Sequence, residues 1–139
     1  MPLPGVLQVH QKNRKSLREN NLRILVAEDD AVLLQLYQSY LGPHEVIYCR
    51  DSSEAERALT ESESGFDLVI TDLLMPSEVQ TRVDLEWLQS HHGPVIVVTG
   101  DSSRVAQERA DPRAQVHIIE KPIEWNSFMA LVSTIAQQL

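Results

Sequence analysis

Cysteine is nearly absent from this chain, and the single Cys49 cannot close an internal disulfide. Its place in the apolar stretch Glu45 to Cys49 predicts a small packed hydrophobe rather than a reactive thiol. Basic residues are also scarce. Twelve Lys and Arg against twenty Asp and Glu give a formal charge of −8, which argues against nucleic acid as a direct partner of the domain body. No apolar run approaches the length that crosses a bilayer, and the amino terminus lacks the hydrophobic region and small-residue cleavage site of a signal peptide. Internal repeats and low-complexity segments are missing too. The expectation is a soluble protein of the reducing cytoplasm, and 139 residues leave room for one domain with a real core but not for a second of ordinary size.

The few basic charges are unevenly placed. Lys12, Arg14, Lys15 and Arg18 fall in the first twenty residues with Glu19 as the only acid, so residues 1–20 read as a flexible, solvated basic lead and residues 21–139 as the domain. Buried strands are predicted at Leu22 to Ala27, Phe66 to Thr71, Val95 to Val98 and Val116 to Ile119, and a further strand at Glu45 to Cys49. Between them, Asp30 is placed to cap a helix whose apolar positions Val32, Leu33, Leu36, Tyr37 and Tyr40 recur at helical spacing until Gly42-Pro43 stops it. A second helix is predicted to start at a capping box of Ser53 and Glu56 and to run to about Glu61. Further helices are expected over Asp84 to Ser90, Ser103 to Ala110, and Trp125 to Gln138. Five strands alternating with five helices predict an α/β fold, a doubly wound parallel sheet with helices on both faces.

Each of four strands ends on a residue able to handle phosphate: Glu28-Asp29-Asp30, Asp72, Thr99 and Lys121-Pro122. Ligands of open parallel sheets bind at the carboxyl ends of the strands, so these landmarks are expected to meet in one crevice. A carboxylate such as Asp72 at the mouth of a buried strand can attack phosphorus and form an acyl phosphate. Packing Glu28 and Asp29 beside it is costly unless a cation neutralises them, and Asp29 and Asp72 offer the hard oxygens that Mg²⁺ prefers. Lys121 adds a compact positive charge for a phosphoryl oxygen and Thr99 a hydroxyl for another. Taken singly these residues have ordinary explanations, as strand ends, caps and solvated charges. It is the four together, in this order, that form a pattern.

That pattern resembles the response-regulator receiver domain of bacterial two-component signalling. The likeness rests on Ile24-Leu25-Val26-Ala27-Glu28-Asp29-Asp30, Asp67-Leu68-Val69-Ile70-Thr71-Asp72-Leu73-Leu74-Met75-Pro76, Val95-Ile96-Val97-Val98-Thr99-Gly100 and Ile119-Glu120-Lys121-Pro122. The resemblance implies a flavodoxin-like sheet of order 2-1-3-4-5. It also implies that Asp72 accepts a phosphoryl group from a phosphohistidine on a sensor histidine kinase or a histidine phosphotransfer protein. By the same likeness, Glu28, Asp29, Asp72 and the backbone carbonyl of Leu74 arrange Mg²⁺, and Thr99 and Lys121 hold the phosphoryl oxygens. No enzymatic activity beyond self-phosphotransfer and autodephosphorylation at Asp72 is implied. The output partner is a downstream protein or a fused domain, and a homodimer is one mode the family allows.

Two departures stand out. The family usually places an aromatic residue where this chain has Ile118, and alternation turns the neighbouring His117 to the other face of its strand. After Met75-Pro76 the family's short Gly-containing turn is replaced by a longer stretch, Ser77 to Asp84, with Glu78 and Arg82 in it. Leu74 argues against a haloacid-dehalogenase-type phosphatase, which needs a second Asp there. Three acids after the first strand argue against a flavodoxin-like FMN binder, which needs a phosphate-binding loop at that point. The remaining rival is a receiver-like scaffold that works by protein contacts without phosphorylation. The last helix is the expected end of the fold, and the residues present hold no DNA-reading helix-turn-helix.

Overall fold

The computed structural model describes residues 21–72, 87–88, 91–100 and 115–139. The five strands are β1 (Arg23–Ala27), β2 (Glu45–Cys49), β3 (Leu68–Asp72), β4 (Pro94–Thr99) and β5 (Gln115–Glu120), and the described helices are α1 (Ala31–Tyr40), α2 (Ser52–Glu61) and α3 (Trp125–Gln137). All strand pairs are parallel and the sheet order is β2-β1-β3-β4-β5. The predicted fold class and strand order are therefore those observed. The helices expected over 84–90 and 103–110 lie outside the described residues, apart from Trp87 and Leu88, and so do the lead, residues 1–20, and the stretch 77–84.

Burial follows from sheet position. Central strands covered on both faces are continuous apolar runs: β4 is buried throughout and β1 from Ile24 onward. Edge strands β2 and β5 lack such a run: β2 alternates between exposed and covered positions, and β5, predicted as a buried strand, holds only exposed and half-buried residues because nothing pairs with its outer edge among the described residues. One layer of core lies where Tyr37 and Leu41, with Phe128, Val132 and Ile135 of α3, pack on Ile24, Val26, Ile70 and Val98. The other is built on Leu25, Ala27, Val69 and Val97, covered by Ala55 of α2 and by Trp87. Cys49 is buried in this second layer, as predicted, and burial, with Glu54 and Asp51 nearby, pushes its thiol up to about 11.

The helix starts are set by acids. Asp30 caps α1 as predicted, its Oδ1 accepting the N–H groups of Val32 at 2.9 Å and Leu33 at 3.3 Å. The capping box at Ser53 is a correction: the cap of α2 is Asp51, whose Oδ1 accepts the N–H of Glu54 at 2.8 Å. A carboxylate makes the stronger, charge-assisted bond to an unpaired helix amide, so the helix begins two residues earlier and Ser53 falls in its first turn. Glu124 caps α3 in the same way, accepting from Asn126 and Ser127.

The amino ends of the strands are tied by Arg23. Its guanidinium donates to Glu45 Oε2 (2.9 Å), Ser62 Oγ (2.7 Å), Ser64 Oγ (2.9 Å) and the Gly65 carbonyl (2.7 Å), and it lies 4.7 Å above the Phe66 ring centre. Nearby, His44 Nδ1 accepts the Leu22 N–H at 2.9 Å and Asp67 Oδ2 accepts that of Arg23 at 2.9 Å. Among the described residues no helix is long and apolar enough to cross a membrane.

Candidate functional site

Parallel pairing brings the carboxyl ends of the strands to one rim. Ala27 lies opposite Thr71, Asp72 opposite Val98, and Thr99 opposite Glu120. Residues separated by up to 93 positions in the sequence thus become neighbours. Glu28 continues the β1 ladder by donating its N–H to the Cys49 carbonyl at 2.9 Å, and Lys121 continues that of β5 by donating to the Thr99 carbonyl at 2.8 Å. The Lys121-Pro122 peptide is cis. The side chains that follow from this backbone are those singled out in the sequence.

Lys121 Nζ donates to Asp72 Oδ2 at 2.9 Å, an ion pair whose side chains are 33% and 12% exposed. Burial works against the charge on Lys121, but the hydrogen bond to Asp72 and the fields of Asp72, Glu28 and Asp30 outweigh it and hold the ammonium above its ordinary pKa. Glu28 is 1% exposed. Its Oε2 accepts the N–H groups of Asp29 at 3.0 Å and Asp30 at 3.1 Å, while its Oε1 is buried without a hydrogen-bond partner. Burial pushes this carboxyl up to about 7. The Asp30 amide pulls it the other way, and the charge on Asp72 reinforces the rise.

Carboxylate oxygens of Glu28, Asp29 and Asp72 all lie within 4.8 Å of one another. Three hard anionic donors at that spacing, one with an orphaned buried oxygen, are a donor set suited to a divalent cation such as Mg²⁺. One lysine offsets only part of their charge. Thr99 is buried at the end of β4, 3% exposed, so the expected acids, threonine and lysine do converge, with Asp29 on the exposed side of the rim. The Leu74 carbonyl lies outside the described residues. Ile118, in the position the family fills with an aromatic, is 43% exposed on the edge strand.

Sequence reasoning placed Tyr37 in the core and missed its closeness to the site. Its hydroxyl is held above its usual pKa by burial first and then by the charges of Glu28 and Asp72. The signal was a tyrosine on the apolar stripe of the helix that begins at the acids. Around it, Trp125 and Phe128 pack their rings at 5.5 and 5.7 Å, and Tyr40 stacks flat on Trp125 at 4.5 Å.

Comparison with known proteins bears on this arrangement. A family model described as response regulator receiver domain matches residues 24–133. The two-component response regulator ARR2 of Arabidopsis thaliana is 30% identical over 110 residues, which cover 74% of this chain and 16% of the relative. ARR11 of the same plant, also a two-component response regulator, is 38% identical over 93 residues, or 60% of this chain and 17% of the relative. The chain therefore spans about one sixth of the length of the curated relatives it matches. Among solved structures, a response regulator receiver domain protein from Clostridium thermocellum superposes with a TM-score of 0.65 at 26% identity, covering 84% of this chain and 94% of that one.

Proposed function

This chain belongs to the response regulator receiver domain family, and from that premise we propose that it accepts a phosphoryl group onto Asp72 from a phosphohistidine donor and changes its protein-contact surface in response. The carrying observation is the 2.9 Å pair of Lys121 Nζ and Asp72 Oδ2 beside the Glu28, Asp29 and Asp72 cluster. In this reading residues 21–139 form the receiver unit. The donor is a sensor histidine kinase or a histidine phosphotransfer protein in the cytoplasm, and the output is a downstream protein or a fused domain.

An oxygen of the Asp72 carboxylate attacks phosphorus. The phosphorus–nitrogen bond to the donor imidazole breaks, and the ring leaves with the electron pair and is protonated to neutral histidine. The product is an aspartyl phosphate. Lys121, already within hydrogen-bond reach of the nucleophile, passes to a phosphoryl oxygen, and the Thr99 hydroxyl donates to another. Glu28, Asp29, Asp72 and the Leu74 carbonyl would hold Mg²⁺, which when bound neutralises the acids and lowers the repulsion between anionic nucleophile and anionic donor. Glu28 holds the Asp29 and Asp30 amides and so fixes the loop that presents the metal ligands. Hydrolysis of the aspartyl phosphate returns the unmodified carboxylate, and no other substrate is turned over.

The test is the intact mass of the chain after incubation with Mg²⁺ and acetyl phosphate. One added phosphoryl group is expected, absent in Asp72→Ala and absent when EDTA is present from the start. No addition under any condition would overturn the proposal in favour of a scaffold that signals by contacts alone.

A further inference from the structure

The turn between α2 and β3 holds one hydroxyl more than its closure needs. Nη1 of Arg23 has two hydrogens to give, yet three oxygens lie within its reach: Ser62 Oγ at 2.7 Å, Ser64 Oγ at 2.9 Å and the Gly65 carbonyl at 2.7 Å. Ser62 is the serine that shapes the turn. It is half-buried, and its Oγ also accepts the Gly65 N–H at 3.0 Å. Ser64 is exposed and makes the longest of the three contacts, so it is the surplus acceptor. Space is open beside it, because a Cβ built on Gly65 would meet nothing within 4 Å.

We propose that Ser64 is a phosphorylation site for an acid-directed protein serine kinase, and that Arg23 receives the phosphoryl group. Backbone conformation singles out this residue. The other exposed serines and threonines among the described residues, Ser39, Ser53, Thr60, Ser127, Ser133 and Thr134, all lie in helices. A kinase cleft binds its peptide extended, and Ser64 stands in an irregular turn. Charge selects the class of kinase. Glu61 and Glu63 precede Ser64, and Asp67 follows three residues later, so the segment complements a basic peptide cleft and is repelled by an acidic one.

In the transfer, Ser64 Oγ attacks the γ-phosphorus of kinase-bound ATP. The bond from that phosphorus to the β–γ bridging oxygen breaks, ADP leaves with the electron pair, and the hydroxyl proton passes to a carboxylate base of the kinase. The product carries nearly two negative charges and three strong acceptor oxygens. A guanidinium already 2.9 Å from the modified oxygen is a fitted receiver for it, since its planar fork matches phosphate.

Arg23 cannot serve the phosphate without cost to its other bonds. Its Nε now donates to Glu45 Oε2 at 2.9 Å, and the two residues are register partners of β1 and β2. A dianion attracts the guanidinium more strongly than one carboxylate does, so modification draws Arg23 from Glu45 toward the turn and acts on the start of edge strand β2. This inference does not rest on phosphorylation of Asp72.

The test uses the full chain with Asp72→Ala, which keeps any aspartyl phosphate out of the count. It is incubated with ATP, Mg²⁺ and casein kinase II as the acid-directed enzyme, with cyclic-AMP-dependent protein kinase as a base-directed control, and is checked as folded by circular dichroism. One phosphoryl group from casein kinase II is expected, mapped to Ser64 by fragmentation, lost in Ser64→Ala and kept in Ser62→Ala; the control enzyme should add none. No addition, addition at another residue, or equal addition by both enzymes would overturn the site. A ³¹P titration of the product then tests the receiver. The second pKa of the phosphoserine should fall below its ordinary value of about 6 and below that of the same product unfolded in urea, because the guanidinium favours the dianion over the facing charges of Glu45, Glu61, Glu63 and Asp67. A folded value equal to or above the unfolded one would overturn the role of Arg23.

Discussion

Replacing Glu28 with Gln should stabilise the metal-free protein at alkaline pH and leave it no more stable, or slightly weaker, in acid. The carboxyl is 1% exposed with Oε1 unpartnered, and its pKa rises from 4.5 to about 7 on folding, mainly through burial. The sign follows from proton binding. Above pH 4.5 the unfolded chain has released this proton while the folded chain retains it until about 7, so stability falls as pH rises between those values and reaches its full loss above the folded value. At about 1.4 kcal/mol per pH unit the loss is about 3 kcal/mol. Gln carries no charge and keeps an oxygen for the Asp29 and Asp30 amides, but it places a buried NH₂ where Oε1 stands, at a cost of about 1 kcal/mol. The net gain is about 2 kcal/mol at about pH 8, shrinking to zero or below at about pH 4.5. Urea unfolding in EDTA, followed by tryptophan fluorescence across this range for both proteins, measures it. A stability difference that does not change with pH, or a variant weaker than wild type at pH 8, would refute the claim that a buried carboxylate charge strains the site.

Other expectations follow from the same geometry. Mg²⁺ at tenfold its dissociation constant should raise the unfolding free energy of wild type by about 1.4 kcal/mol, and Asp29→Asn should reduce that response in the same titration. Lys121→Ala leaves Asp72 facing Glu28 and Asp29 without its 2.9 Å partner, which should cost about 1–2 kcal/mol in metal-free urea unfolding at neutral pH; an unchanged midpoint would contradict the ion pair. His44 Nδ1 accepts the Leu22 amide, and burial holds its pKa below the ordinary 6.5. Its contribution is therefore present above pH 6.5 and lost as pH falls through the lower folded value. Comparing His44→Ala with its parent, both in the Glu28→Gln background, should show a stability gap that closes in acid. Phe128→Ala removes a ring buried against Tyr37 and Trp125 and should cost about 3–5 kcal/mol in the same unfolding assay.

Much of this molecule could be read from local pattern. All five strands were legible as apolar stretches, the central three because strands covered on both faces need uninterrupted hydrophobic residues, and the observed ends of all five differ from the reading by at most two positions. The site was legible because parallel pairing sends every strand's carboxyl end to one rim, so chain order alone predicts that Glu28, Asp72, Thr99 and Lys121 converge. Legibility failed where a choice turned on competing donors or long-range packing. Asp51 outcompetes Ser53 as the α2 cap through a carboxylate bond that no apolar spacing reveals. The Arg23 contacts reach residues 22 to 42 positions away, and the stacking of Tyr40 on Trp125 depends on how α3 returns across the sheet. None of these has a local signature.

The turn that joins α2 to β3 has the composition of a dispensable surface loop: Ser62, Glu63, Ser64 and Gly65, the last with φ near +69°. Protein engineers would choose such a stretch to open the chain, whether for a circular permutation or for an inserted reporter. Yet Ser62, Ser64 and the Gly65 carbonyl are all held by one guanidinium that also fastens the start of β2. Cutting there would release Arg23, and with it the alignment of three strands at the end of the sheet opposite the rim that carries Glu28, Asp72 and Lys121. Its most expendable-looking loop is the hinge pin on which new termini would fail.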